Sequence, residues 1–296
     1  MHSPSPSLLD LPVRRLTRED LVPCADLCED RGWPRDEHRW GLLLSASTAY
    51  GVDAPDGKGL MACCVVTSYG PGLAAVGMLL VAGRYARQGV ARRLMRHVMK
   101  AVGSTPLALY ATSQGAPLYE ALGFSHSGRA ERLEGRFVAD GAKASGSGVH
   151  TRPAVRTRPA AADDLRELVG LDLPVFGTDR THIIARLPAF CDGLQVSEEN
   201  GELTGYAGLW PSGNTHVIGP VIARDTVTAK ALVTALAATT DRPLRIDVDA
   251  RHEELLGWLE DRGMKPAAGT AVMTYGIPAL PGDAARRFVP LTLATG

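Results

Sequence analysis

This chain states one structural unit twice, and the repetition limits its folds more than any other feature. Val13-Arg-Arg-Leu-Thr-Arg-Glu-Asp-Leu21 returns in altered form as Val155-Arg-Thr-Arg-Pro-Ala-Ala-Ala-Asp-Asp-Leu165. Each reads as a short strand, then a Thr- or Pro-marked opening with acidic residues ahead of a helix. Gly77-Met-Leu-Leu-Val-Ala82 has a counterpart in Ile218-Gly-Pro-Val-Ile-Ala223, and Ala91-Arg-Arg-Leu-Met95 in Ala229-Lys-Ala-Leu-Val233. The apolar strands at 107–111 and 244–248 correspond, and Leu122-Gly-Phe124 and Arg262-Gly-Met264 each close a helix. This order predicts an internal duplication of one α+β unit. At 296 residues the chain has room for two such domains, each able to bury its own core. The expected division is 1–138 and 153–296, joined by a small, polar, glycine-rich linker at 139–152.

In the first unit, alternating apolar residues predict strands near 12–16, 48–53, 59–68, 73–82 and 106–111, and helices near 18–30, 36–46, 88–102 and 115–122. A hairpin is expected to complete it. The stretch 78–95 then becomes the most informative: an apolar strand, an arginine-dense turn holding Gly89, and a helix. Such a junction aims unpaired backbone N–H groups and the positive end of a helix dipole at one spot, which suits a phosphate or pyrophosphate. Gly89 lets the main chain approach a ligand closely, and Arg84, Arg87, Arg92 and Arg93 add positive charge.

Composition removes several function classes. Lys+Arg and Asp+Glu are both 32, and this balance argues against a nucleic-acid or membrane-surface protein. No apolar run reaches the ~20 residues of a membrane span. The five cysteines lack metal spacing and read as buried small hydrophobes in a reducing compartment, so a cytoplasmic location is expected. The histidines show no metal-ligand pattern, and no metal is expected. Ser113 lies in no Gly-x-Ser-x-Gly elbow, and the arginine-rich turn lacks the Gly-Lys-Ser/Thr ending of a P-loop.

Downstream, residues 107–124 repeat the strand-to-helix theme, with Leu118-Tyr-Glu-Ala-Leu-Gly-Phe124 closing the helix. Together with the 78–95 segment, this resembles the GNAT superfamily of N-acetyltransferases. Gly89 and Ala91 match the last two fixed positions of that family's pyrophosphate signature. Ala86 departs from the first, so the basic side chain usual there is either absent or supplied by Arg87 or Gln88. The resemblance implies tandem GNAT folds, each a mixed, mostly antiparallel sheet flanked by helices. It implies acetyl-CoA as acyl donor, with an amine of a small molecule or peptide attacking directly in a ternary complex. A CoA-binding sensor or scaffold, or an acyltransferase using a longer acyl-CoA, are the alternative readings. A monomer or homodimer is expected.

By the same resemblance, the main chain of Met78, Leu79, Leu80 and Val81 holds the pantetheine and the acyl carbonyl. Arg87, Gln88, Gly89, Val90, Ala91 and Arg92 hold the pyrophosphate, and Tyr119 protonates the departing thiolate. A phenol of pKa ~10 is close enough to a thiol's ~8.5 for that task. No general base stands out, because residues 73–81 carry no ionisable side chain. Asp36, Glu37 and His38 lie in the region that covers the acceptor in this fold, but a surface helix turn explains them equally. Trp33 and Trp40 either wall the acceptor or anchor the helix pair. Asp179 and Arg180, in Phe176-Gly-Thr-Asp-Arg180, either close over the acceptor or, for Asp179, cap the following helix. The second copy reads Asp225-Thr-Val-Thr-Ala229 where the first reads Arg87-Gln-Gly-Val-Ala91, and Leu259 stands where Tyr119 does. It resembles the degenerate C-terminal unit of two-domain members: fold kept, donor site lost.

Overall fold

The computed structural model describes residues 7–139 and 155–296. Apart from Ala139, the expected linker lies outside the described residues. The first half runs β1 (Arg14–Leu16), α1 (Leu21–Asp30), α2 (Glu37–Ala46), β2 (Thr48–Asp53), β3 (Leu60–Ser68), β4 (Ala74–Val81), α3 (Val90–Val102), β5 (Leu107–Ala111), α4 (Ala116–Glu120) and β6 (Ser125–Gly135). The second half repeats the order: β7 (Arg156–Pro159), α5 (Leu165–Phe176), α6 (Thr181–Ile184), α7 (Leu187–Phe190), β8 (Gly193–Glu199), β9 (Glu202–Ser212), β10 (Thr215–Ala223), α8 (Thr226–Ala237), β11 (Leu244–Asp249), α9 (Glu253–Asp261), β12 (Lys265–Pro266), β13 (Thr270–Tyr275) and β14 (Arg287–Val289).

The duplication is visible atom by atom at the two openings. Arg14 donates to both carboxylate oxygens of Asp20, at 2.6 and 3.0 Å, and Arg158 does the same to Asp164, at 2.8 and 2.7 Å. Each aspartate also accepts a backbone N–H three residues back, from Thr17 and Ala161. The guanidinium beside each carboxyl holds it below the ordinary carboxylate range. One six-residue fork thus starts both α1 and α5. Further along, α3 buries Val90, Leu94, Met95 and Val98, and α8 buries Ala229, Leu232, Val233 and Leu236, each at i, i+3, i+4 spacing against its own sheet.

The expected hairpin at the end of the first unit does not form. Among the described residues, the strands make one sheet in the order β1-β2-β3-β4-β5-β13-β6-β11-β10-β9-β8-β7. The halves have exchanged their last strands. β13 pairs with β5 in the first half, and β6 pairs with β11 in the second, while β13 and β6 pair with each other at the centre. The reason is burial. Leu133 of β6 is 1% exposed in a core of α8 and α9 side chains, and Met273 of β13 is fully buried in the core under α3. A local hairpin would forfeit the contacts each strand makes in the other half.

After β13 the chain passes α5, lays β14 against β10, and crosses to β4. Two glycines let it pass. A Cβ on Gly219 would meet the Pro290 carbonyl oxygen at 2.4 Å, and one on Gly77 would meet Ala294 Cα at 2.4 Å. Tyr69 ties the end of this crossing by donating its hydroxyl to the Thr295 carbonyl. Gly77→Ala should therefore destabilise the protein by about 2–3 kcal/mol through overpacking against main chain. A lowered urea midpoint at unchanged slope would show it, and an unchanged midpoint would mean the tail is free to move aside.

Candidate active site

The first half carries a slot and a left-handed turn into a helix in series. β4 and β5 run parallel but pair only through Ala74↔Leu107, Ala75↔Ala108 and Val76↔Leu109. Beyond that point β5 stays with β13, through Tyr110↔Val272 and Ala111↔Ala271, so among the described residues the β5-facing edge of Gly77–Val81 has no strand beside it. The β3–β4 register shifts here, with Cys63 opposite Leu80 and Val65 opposite Gly77, and Met78 has φ of 51°. This bulge re-aims the main chain of Met78, Leu79, Leu80 and Val81 at the parting of the strands.

At the far end of β4 the chain turns into α3 with Arg87 at φ 59° and Gly89 at φ 81°. Left-handed residues alternating in this way gather successive N–H groups into a concave nest for an anion. Gly89 is the helix N-cap and brings no side-chain cap, so the first-turn N–H groups of Val90, Ala91 and Arg92 stay available. Arg87, Gln88 and Arg92 are exposed at this turn. Arg87 and Arg92 have no hydrogen bond or ion pair among the described residues, whereas Gln88 donates weakly to the Arg84 carbonyl at 3.4 Å. The expectation that all four arginines surround the turn needs correction. Arg84 donates to the Lys58 carbonyl at 2.9 Å, and Arg93 to the Leu11 carbonyl; both are spent on the protein's own loops.

Tyr119 stands half-buried on α4, with its ring edge-on to Phe124 at 5.8 Å. Burial pushes its phenol well above the usual value, with the Cys64 thiol of β3 adding to the effect. Its hydroxyl has no hydrogen-bond partner among the described residues. Cys63 and Cys64 are fully buried and burial pushes both thiols up, Cys64 to about 12. Neither is poised as a nucleophile.

The second half has filled both features. β14 pairs with β10 through Val221↔Val289 and Ile222↔Arg287, on the edge opposite β9, where the matching stretch of the first half pairs with no strand among the described residues. Asp225 caps α8, its carboxylate accepting the Thr228 N–H and hydroxyl, both at 2.8 Å.

The residues expected to meet the acceptor divide. Trp40 is wholly buried with its indole N–H on Cys28 Sγ at 3.2 Å; it is a core anchor and walls no cavity. Asp36 is 2% exposed, caps α2 through the Arg39 N–H at 2.9 Å, and accepts the Ser212 hydroxyl at 2.7 Å. Trp33 is 38% exposed. Asp179 accepts the N–H of Thr181, the first residue of α6, at 2.8 Å, from one position before the N-cap, which is Arg180. Arg180 is buried, forked onto Asp172 at 2.7 and 2.8 Å and lying 4.0 Å over the Phe176 ring. Glu37 pairs with Arg35, and His38 stacks on Phe190.

Sequence reading missed the wall that the tail builds where β4 and β5 part. A small cavity there is lined by Val76, Leu109, Tyr110, Phe176, Leu293 and Arg287, among others. Burial pushes the Tyr110 phenol up to about 12. No local signal marks Arg287 or Leu293, because they reach this place only through the exchange of strands.

Comparisons with known proteins agree with this architecture. Residues 66–138 match one family model described as an acetyltransferase (GNAT) domain, and residues 168–288 match another of the same description. A Bacillus subtilis protein named uncharacterized N-acetyltransferase YitH is 27% identical over 264 residues, 88% of this chain and 90% of that one. Among solved structures, a Pyrococcus horikoshii protein assigned as an acetyltransferase superposes with a TM-score of 0.78 at 15% identity, over 100% of this chain and 99% of that one. A tandem GNAT protein from the clavulanic acid biosynthesis pathway gives 0.64 at 14% identity, over 90% and 98%. At such identities these two likenesses concern the fold. The chain belongs to the GNAT superfamily of acetyltransferases, with two such domains in tandem. Members of this family transfer acyl groups from acyl-CoA. Among the described residues, no helix is long and apolar enough to cross a membrane.

Proposed function

We propose that the first domain, residues 1–138, is an acetyl-CoA-dependent N-acetyltransferase acting on a small-molecule or peptide amine, and that the second, 153–296, keeps the fold without a donor site. One contrast carries the reading: among the described residues the edge of β4 beyond Val76 pairs with no strand and the α3 N-terminus has no side-chain cap, while β14 and Asp225 fill the same places in the second half. The nest at Arg87–Gly89 and the first turn of α3 bind the pyrophosphate. The bulged main chain at Met78–Val81 holds the pantetheine and donates to the acyl oxygen, where such a donor contributes ~3–4 kcal/mol. Holding donor and amine together removes much of the entropic barrier. Tyr119, protonated at neutral pH and with its hydroxyl unengaged among the described residues, shares its proton with the leaving thiolate as the C–S bond breaks, although burial makes it a weaker acid than a free phenol. Water held by main-chain carbonyls takes the amine's proton, since β4 carries no ionisable side chain and Asp36 is committed to capping. No metal takes part. The enzyme acts as a monomer or homodimer in the cytoplasm, where its five unpaired cysteines stay reduced.

The test is CoA release from acetyl-CoA across a broad amine panel, alongside calorimetry of donor binding. Turnover with micromolar donor affinity is expected. Donor binding with no turnover would instead favour a sensor, and preference for a longer donor would change the acyl group.

A further inference from the structure

The small cavity beside the β4–β5 parting, which Tyr110, Arg287 and Gly296 line together with apolar side chains, holds a buried guanidinium, and its meaning rests on the donor site just proposed. Val76 and Leu109 are the last paired residues before β4 and β5 part, so the cavity they line begins where the acyl group is to be delivered. Most of the lining is hydrocarbon. Arg287, brought in on β14 from the other half, is 6% exposed. Its Nη1 donates to the Pro281 carbonyl at 2.8 Å, and no carboxylate of the described residues lies within the 4.0 Å of an ion pair. Its charged neighbours have partners of their own: Arg180 is paired with Asp172 at 2.7 Å and also donates to the Gly296 oxygen of the cavity wall at 3.2 Å, and Asp249 is paired with Arg251 at 2.9 Å. Burial pushes the Arg287 pKa down, with Tyr110 and Asp249 countering it. A guanidinium nevertheless stays protonated and offers five N–H donors. A buried cation without an anion is costly, and is retained where a ligand brings the anion.

We propose that Arg287 receives a carboxylate of the acceptor, so that the first domain acetylates amino-acid-like amines that carry a carboxylate in the same small molecule. A single planar guanidinium in an apolar cavity fits a carboxylate in the two-bond fork. A phosphate would call for more donors than this wall holds. The second half thus supplies acceptor recognition by means of the very strand that closes its own donor slot.

The experiment compares amino acids with their carboxamides as acceptors, pair by pair, reading CoA release from acetyl-CoA with wild type, Arg287→Gln and Arg287→Lys. In wild type, kcat/KM for the acid should exceed that for its amide by at least ~30-fold, as expected for a buried charge-assisted pair. That ratio should collapse toward one in Arg287→Gln and recover in part in Arg287→Lys. Amides used as well as acids, no acid turned over at all, or a ratio untouched by Arg287→Gln would each overturn the assignment. The wild-type ratio decides the matter even if both variants fail to fold. Calorimetry with acetyl-CoA alone separates the two levels: donor binding with turnover of amides only sinks the acceptor inference, and absent donor binding sinks the proposed function.

Discussion

Gly89→Val should abolish acetyl-CoA binding, lowering affinity by more than ~100-fold in calorimetry. Two effects add. At φ of 81° a β-branched residue is strained, at a cost of about 1–2 kcal/mol, so the turn shifts and its N–H groups no longer converge. The new side chain also stands where the main chain meets the phosphate. The fold should survive, because a Cβ there finds only the Leu9 side chain, at 3.7 Å. Val227→Gly provides the mirror experiment. Restoring flexibility to the second copy should create no binding, since Asp225 still holds the Thr228 N–H and β14 still lies along β10. Retained affinity in Gly89→Val would remove the anion site from this turn.

Tyr119→Phe should lower kcat by about 10²–10⁴-fold, the usual worth of a positioned general acid, while donor affinity changes no more than ~3-fold. The loss should be confined to the chemical step because the hydroxyl bonds to nothing else among the described residues. Stability should hardly move for the same reason. The direction of the pKa shift adds a pH criterion. Burial raises the phenol's pKa, so the acid form persists past the ordinary value of ~10. The wild-type rate should therefore show no loss from this group below about pH 10. A Phe variant with undiminished kcat would assign thiolate protonation to water.

Much of the first half was legible because its signals are local. β4, α3, β5 and α4 follow from apolar periodicity punctuated by glycine, and their observed bounds differ from expectation by only a few residues. The turn between β4 and α3 was legible for the same reason: the left-handed backbone at Arg87 and Gly89 is determined by a few neighbouring residues. Trp40 shows the opposite case. In sequence it reads equally as a wall or an anchor, and only packing against Cys28 and the α1–α2 core resolves it. The same holds for Arg84 and Arg93, whose charge was plain but whose partners, Lys58 and Leu11, lie on distant loops.

By itself, then, the amino-acid order determined the duplicated α+β unit, the glycine turn between β4 and α3, and the lack of that glycine in the second copy. Those depend on side-chain periodicity, glycine and charge within about twenty residues. The tertiary structure alone decided that the halves exchange β6 and β13, that β14 closes the second slot, and that Arg287 serves the first. A strand's edge bonds to whichever neighbour best buries its apolar face, and that choice belongs to the assembled cores of both halves.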